Sequence, residues 1–180
     1  EANLRPKVEI EDTFIELSKH IGRERVVWRY DPIILNDTID IQYHKAQFMR
    51  ICEKLSHGCS QTLYTDTVTI SFVDVYPKLK TQLIRPITED EIAELATFIG
   101  KSAKEHGIRA VACSEKGDLT KYGIERSSCI DRKRIENIIG CPLDVKADKN
   151  QRESCGCFES IDIGAYNTCL NGCVYCYAND

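Results

Sequence analysis

The sequence has no run approaching the roughly 20 apolar residues that a membrane-spanning helix requires, and no basic-then-apolar leader at its start. A membrane role is therefore not expected, and the cytoplasm is the expected location. The longest basic run is the triplet Arg132, Lys133 and Arg134, and the formal net charge is -4 with a pI of about 5.6. The electrostatic footprint of an avid nucleic-acid binder is missing. Histidine is sparse: His20, His44, His57 and His106 are scattered, with no pair at metal-ligand spacing. There is no glycine-rich phosphate loop and no Gly-x-Ser-x-Gly elbow, so nucleotide hydrolysis and serine-type hydrolysis have no support.

Cysteine, by contrast, is abundant, with 10 in 180 residues. Such a count in a short, core-poor chain would suggest a secreted disulfide scaffold. This chain is 42% hydrophobic, enough for a sizeable core, so reduced thiols and metal ligation fit better. The sequence begins at Glu1 without Met and stops four residues after Cys176, which reads as a fragment of a longer chain.

Apolar periodicity organises the first 150 residues. Ile10, Phe14, Leu17 and Ile21 recur at helical spacing over Val8 to Ile21, and Gly22 follows as a stop. Arg25 to Tyr30 reads as a buried strand ended by Asp31 and Pro32. A helix is expected over Ile41 to Leu55, with Ile41, Phe48, Ile51, Cys52 and Leu55 facing inward. A strand then spans Val68 to Val75.

Thr88-Glu89-Asp90-Glu91 is a capping box opening a helix to His106, with Ile92, Leu95, Ala96 and Ile99 toward the core and Gly107 closing it. Ile108 to Cys113 reads as a strand, and Arg132 to Ile139 as a short helix stopped by Gly140 and Pro142.

The repetition is of element type, with a period of about 40 residues, which is the βα unit of a parallel α/β fold. A complete eightfold barrel needs about 250 residues, so the expected fold is a partial or permuted TIM-like barrel. Residues 1–150 form the expected α/β domain, and residues 151–180 a cysteine-rich, cluster-binding tail.

Polar residues cluster where the strands end, the edge at which parallel α/β folds bind ligands. Arg29 and Asp31 are candidates there, as an anion clamp or as an ion pair. Asp74 reads as a proton carrier, a ribose-hydroxyl acceptor or a loop cap, and Glu115 is a further candidate at a strand end. Arg152, in a polar cluster before the tail, reads as a neutraliser of cluster charge, a carboxylate ligand or a solvated residue. Cys52 sits on the apolar face of a helix and reads as a small core residue; Cys59 and Cys141 lack metal spacing.

Five of the cysteines lie in the last 26 residues. Cys169, Cys173 and Cys176 have the spacing Cys-x3-Cys-x2-Cys, with Tyr175 directly before the third. Iron-sulfur clusters are normally held by four thiolates, so three would leave one iron open to an exogenous ligand. The alternative is structural zinc, with Cys155 or Cys157 supplying a fourth thiolate. The Cys155-x-Cys157 pair admits a second cluster or auxiliary metal completed by Cys129 or Cys113, or simple packing beside the main site.

The loop from Cys169 to Cys176 resembles the signature loop of the radical S-adenosylmethionine (SAM) superfamily. The string CGCFESIDIGAYNTCLNGCVYCYAN from Cys155 to Asn179, with WRYDP at Trp28 to Pro32 and SFVDVY at Ser71 to Tyr76, resembles an uncharacterised bacterial family of radical-SAM-like character. That resemblance implies a 4Fe-4S cluster on Cys169, Cys173 and Cys176, with SAM on the fourth iron and Tyr175 beside its adenine. Reductive cleavage would give methionine and a 5'-deoxyadenosyl radical that abstracts hydrogen from a small-molecule substrate. The electron would come from a donor such as a flavodoxin or ferredoxin.

In that superfamily the loop usually follows the first barrel strand. Here it closes the sequence, which a permuted barrel accommodates with Ser160 to Gly164 as the strand feeding it. No Gly-Gly-Glu segment is evident to meet the SAM amino group, leaving Glu115 as the candidate. Two further classes compete with the enzyme: a non-catalytic zinc protein, and an electron-transfer or redox-sensing iron-sulfur module.

Overall fold

The computed structural model describes residues 3–57, 62–75, 83–115, 117–151, 155–176 and 178. Four parallel strands form one sheet in the order β1-β2-β3-β4, each beside its predecessor in sequence: β1 Trp28–Ile33, β2 Thr67–Phe72, β3 Arg109–Ala112 and β4 Glu125–Arg126. The expected α/β class with parallel strands is therefore present. The order has no reversal point, so successive units wind in one direction.

β2 explains why the sheet needs cover on both faces. Five of the six residues of its burial pattern are buried, as expected of a central parallel strand. Val68 pairs with Trp28 on one side and Ala110 on the other. β2 ends at Phe72, earlier than expected, and Val75 is exposed. Pro32 was expected to end the first strand, yet β1 runs through it to Ile33. Proline lacks a ladder donor, but β1 pairs only with β2, and edge strands tolerate that loss.

The helices are α1 Lys7–Ile21, α2 Ile41–His57, α3 Glu89–Glu105 and α4 Arg132–Ile139. Phe48, Cys52 and Leu55 of α2 and Leu95, Ala96 and Ile99 of α3 are fully buried or nearly so, against Trp28, Val68 and Ile70 of the sheet. Each large side chain buried this way contributes roughly 1.5–3 kcal/mol. Phe48 stacks on Trp28 with ring centroids 4.8 Å apart and meets the Tyr30 ring edge-on at 5.3 Å.

The capping box of α3 forms as expected: the Thr88 hydroxyl accepts from the Glu91 amide, and the Glu91 carboxylate accepts from the Thr88 amide at 2.9 Å. Asp131 caps α4 through the amides of Lys133 and Arg134, and Gly140 closes it in the left-handed region.

α1 forms where its period and Gly22 placed it, but its apolar residues are not its main attachment. Ile10, Leu17 and Ile21 are exposed, and only Phe14 and Ile15 pack partly against the core. A polar grip holds the helix instead. Buried Glu11 accepts from Arg50 at 2.6 and 3.0 Å and from Lys54 at 3.1 Å, and the Ser18 hydroxyl donates to the Tyr64 carbonyl at 2.6 Å. Arg50 and Lys54 hold the Glu11 carboxyl below its ordinary value, with Arg50 the largest cause and burial opposing.

Two features were not expected at all. β4 has only two residues, both charged and exposed, preceded by a 3-10 turn at Thr120–Tyr122. Gly100 in α3 makes this return possible, since a Cβ there would sit 1.9 Å from the Tyr122 carbonyl oxygen. The segment Ser160 to Gly164, expected as a strand, is irregular, and every residue from 161 to 170 is exposed. Ile161 and Ile163 alternate correctly for a strand but have no neighbouring strand to pair with among the described residues.

Candidate metal centre

The C-terminal ends of all four strands converge on one edge, and there they bring cysteines from three parts of the chain together. Cys113 follows β3 directly. Cys129 follows β4, whose path continues the sheet pattern through the Ser127 amide, donating to the Ala112 carbonyl at 3.0 Å. Cys155 and Cys157 begin the tail. Cys157 is fixed by a short antiparallel pairing in which the Asp148 amide donates to the Cys157 carbonyl at 3.0 Å and the Glu159 amide to the Lys146 carbonyl at 2.9 Å.

The sulfurs of Cys113, Cys155 and Cys157 all lie within 4.8 Å of one another. These three side chains can hold a metal ion. Cys157 is buried, and Cys113 and Cys155 are half-buried. No described cysteine is in a disulfide. Among the described residues this is the one group of three potential ligands packed so closely; the sulfurs of Cys169, Cys173 and Cys176 do not gather to that spacing.

Cys129 borders the trio. Its thiol is hydrogen-bonded to that of Cys113, and Arg29 Nη1 donates to its Sγ at 3.2 Å. The Cys113 thiol, as donor, and the Arg29 guanidinium both favour ionisation of Cys129, against the opposing effect of burial. Cys113 is correspondingly pushed up, because a second thiolate beside the first is disfavoured. Burial, the largest cause, also pushes Cys157 up, although the Ile130 amide donates to its Sγ at 3.4 Å.

Arg29 and Asp31 form an ion pair, one of the two readings given for them, with Nε to Oδ1 at 3.1 Å and Nη2 to Oδ2 at 2.5 Å. The same guanidinium thus spans a carboxylate and a thiol. Glu115 is held at the mouth of β2, where its Oε1 accepts from the Phe72 amide at 2.9 Å.

A cavity of about 550 Å³ opens at this edge. Arg29, Asp31, Asp74 and Glu115 line it, as do Cys113, Cys129, Cys155 and Cys157. Cys173, Tyr175 and Cys176 line it from the tail; Cys169 is exposed and does not. Tyr175 also borders a neighbouring cavity of about 690 Å³ walled by Phe14, Trp28 and Tyr43. Arg152 and Cys59 lie outside the described residues.

Spacing alone pointed to the tail triplet, and no local pattern joined Cys113 and Cys129 to Cys155 and Cys157. The available signal was weaker: a cysteine just past an apolar strand, at the edge where such folds place ligands. The Arg29 contact to Cys129, 100 residues away in sequence, left no trace in any motif.

No described helix is long and apolar enough to cross a membrane. The family described as Domain of unknown function (DUF1848) matches residues 1–178. No curated protein and no solved structure matches the chain.

Proposed function

We propose, for a chain that belongs to the DUF1848 family, that it is an iron-sulfur protein with radical SAM-like activity on a small molecule. The observation that carries this reading is that Cys173, Tyr175 and Cys176 share one cavity with Arg29, Asp31, Asp74 and Glu115 at the C-terminal edge of a parallel sheet. Strands laid down in sequence order support the arc of a barrel, whose C-terminal face is where barrel enzymes do their chemistry.

The spacing Cys-x3-Cys-x2-Cys supports reading the tail thiolates as ligands of a cluster with one open iron. Cys169, Cys173 and Cys176 would hold three irons and leave the fourth for SAM. When bound, the cluster supplies the electron that cleaves the carbon-sulfur bond of SAM.

The chain's own residues bind and orient. Tyr175, half-buried between the two cavities, offers its ring to the adenine. Glu115, steadied by the Phe72 amide, is the carboxylate for the SAM amino group. Asp74 stands on the same wall to hold or move a substrate proton. Arg29 is already neutralised by Asp31, so it steers the cavity's charge rather than clamping a free anion. Ten cysteines in a chain with a sizeable hydrophobic fraction suit a reducing, cytoplasmic setting, with a flavodoxin or ferredoxin as electron donor.

The test is anaerobic reconstitution of the full-length protein with iron and sulfide, followed by SAM and dithionite. A brown protein that yields 5'-deoxyadenosine, with the yield lost in Cys173→Ala, is the expected result. A cluster-loaded protein that forms no 5'-deoxyadenosine would reject the SAM chemistry, leaving an electron-transfer module. Failure to retain iron and sulfide would reject the cluster.

A further inference from the structure

We propose that Cys113, Cys129, Cys155 and Cys157 form a second metal centre, a mononuclear tetrathiolate zinc site that pins the tail to the sheet. It is independent of the tail triplet and of the iron-sulfur reading built on it.

The separation between sulfurs decides the nuclearity. Zinc binds thiolates at about 2.3 Å in tetrahedral geometry, which sets neighbouring sulfurs roughly 3.8 Å apart. Three of the four sulfurs here already lie within 4.8 Å of one another. One ion needs only a small inward shift of those three side chains, with Cys129 brought in beside Cys113. A cube of four irons would have to force the same thiolates apart, against the β3 backbone on one side and the 146–148 and 157–159 pairing on the other.

Cys129 supplies the fourth corner. Its thiol touches that of Cys113, and it lines the same cavity as the other three. A closed set of four thiolates with no position left for water or substrate is the pattern of a structural site.

Zinc on four thiolates carries a net charge of about -2. The surroundings answer that charge with donors aimed at sulfur. Arg29 Nη1 is 3.2 Å from Cys129 Sγ, and the Ile130 amide is 3.4 Å from Cys157 Sγ. Such outer contacts orient ligands and lower the charge each sulfur must carry. Arg29 thereby links the centre to Asp31 and the cavity wall.

The consequence is mechanical. The ligands come from the end of β3, the loop before α4 and the start of the tail, so one ion ties three segments together. Few backbone bonds hold residues 159–176 in place, and the ion fixes where that stretch departs from the body.

The deciding experiment separates this centre from the tail triplet. The full-length variant carrying Cys169→Ala, Cys173→Ala and Cys176→Ala is expressed with zinc, desalted and assayed for bound metal. One zinc per chain is expected. Adding Cys155→Ala and Cys157→Ala is expected to lower retained zinc at least tenfold, whereas adding Cys141→Ala is expected to leave it unchanged.

Cobalt in place of zinc gives a spectroscopic readout of the ligand set itself. The triplet-free protein should show intense thiolate-to-cobalt charge transfer and the visible bands of a tetrahedral ion, and Cys129→Ser should weaken the first and retain the second. Zinc lost with the tail triplet alone, or retained without Cys155 and Cys157, overturns the proposal. Octahedral cobalt without thiolate charge transfer overturns it as well. Each of these results leaves the 5'-deoxyadenosine assay unaffected.

Discussion

The body and the tail of this protein are ordered by different means. In the body, Phe48, Ile33, Leu95 and Val68 are fully buried, and the sheet is covered on both faces. In the tail, Ile161 is 89% and Ile163 97% exposed, and hydrogen bonds shape it: the Asn3 amide to the Asn171 carbonyl at 3.2 Å, the Asn3 side-chain amide to the Leu170 carbonyl at 2.7 Å, the Asn167 amide to the Ala178 carbonyl at 2.8 Å, and the turn from Cys173 to Cys176. A segment that buries so little apolar surface cannot offset the entropy of its own ordering by the hydrophobic effect. Hydrogen bonds and side-chain ligation are the other means, and Cys155 and Cys157 at the start of the tail can hold a metal ion with Cys113.

Three variants test that contrast. The largest effect should come from Phe48→Ala, which removes a ring stacked between Trp28 and Tyr30 and leaves a cavity. It is expected to destabilise the body by about 3–5 kcal/mol in urea or thermal unfolding. A change under about 1 kcal/mol would mean that the body, like the tail, does not depend on its core.

Glu11→Gln should be next. The loss at pH 7 is expected to be roughly 1–2 kcal/mol, below that of a fully buried pair because Arg50 remains partly exposed to solvent. Its sign with pH follows from the lowered carboxyl. The stabilisation is complete above the ordinary glutamate value of 4.5 and is lost as pH falls through the depressed folded value. Unfolding curves of the wild type and Glu11→Gln should therefore converge in acid, and a gap that persists once the carboxyl is protonated in both states would show that the carboxylate is not its source.

The smallest effect belongs to the tail. Ile161→Ser with Ile163→Ser should shift stability by less than about 0.5 kcal/mol. A larger loss would reveal an apolar contact for these side chains and erase the contrast.

The same division governs what could be read from the residues alone. Helices α2 and α3 were legible because burial imposes a 3.6-residue period and Thr88 and Glu91 mark a start. α1 was legible by the same period and its Gly22 stop, but the period did not record that Glu11 and Ser18, beside Phe14 and Ile15, tie it down. β4 was illegible: Glu125 and Arg126 have no apolar alternation, and their place is set by Ala112 and by what precedes them. Ser160 to Gly164 showed the alternation of a strand, but a strand requires a partner, which local sequence does not record.

At the metal centre the Cys-x-Cys pair was visible as a pair. Its companions were visible only as options, since Cys113 and Cys129 meet it through the fold and not through spacing.

Gly100 carries the last consequence. It is buried in α3, far along the chain from any thiol, and its missing side chain is the clearance through which Tyr122 passes. Were that clearance closed by a single methyl, the 3-10 turn would have to lift away, and Glu125, Arg126 and the Ser127 amide would lose their alignment on β3. Cys129 would move with them. The missing methyl of Gly100 thus bears on the place of a cysteine it never touches, and at the zinc centre proposed above a Gly100→Ala protein should be recognised first by altered metal affinity.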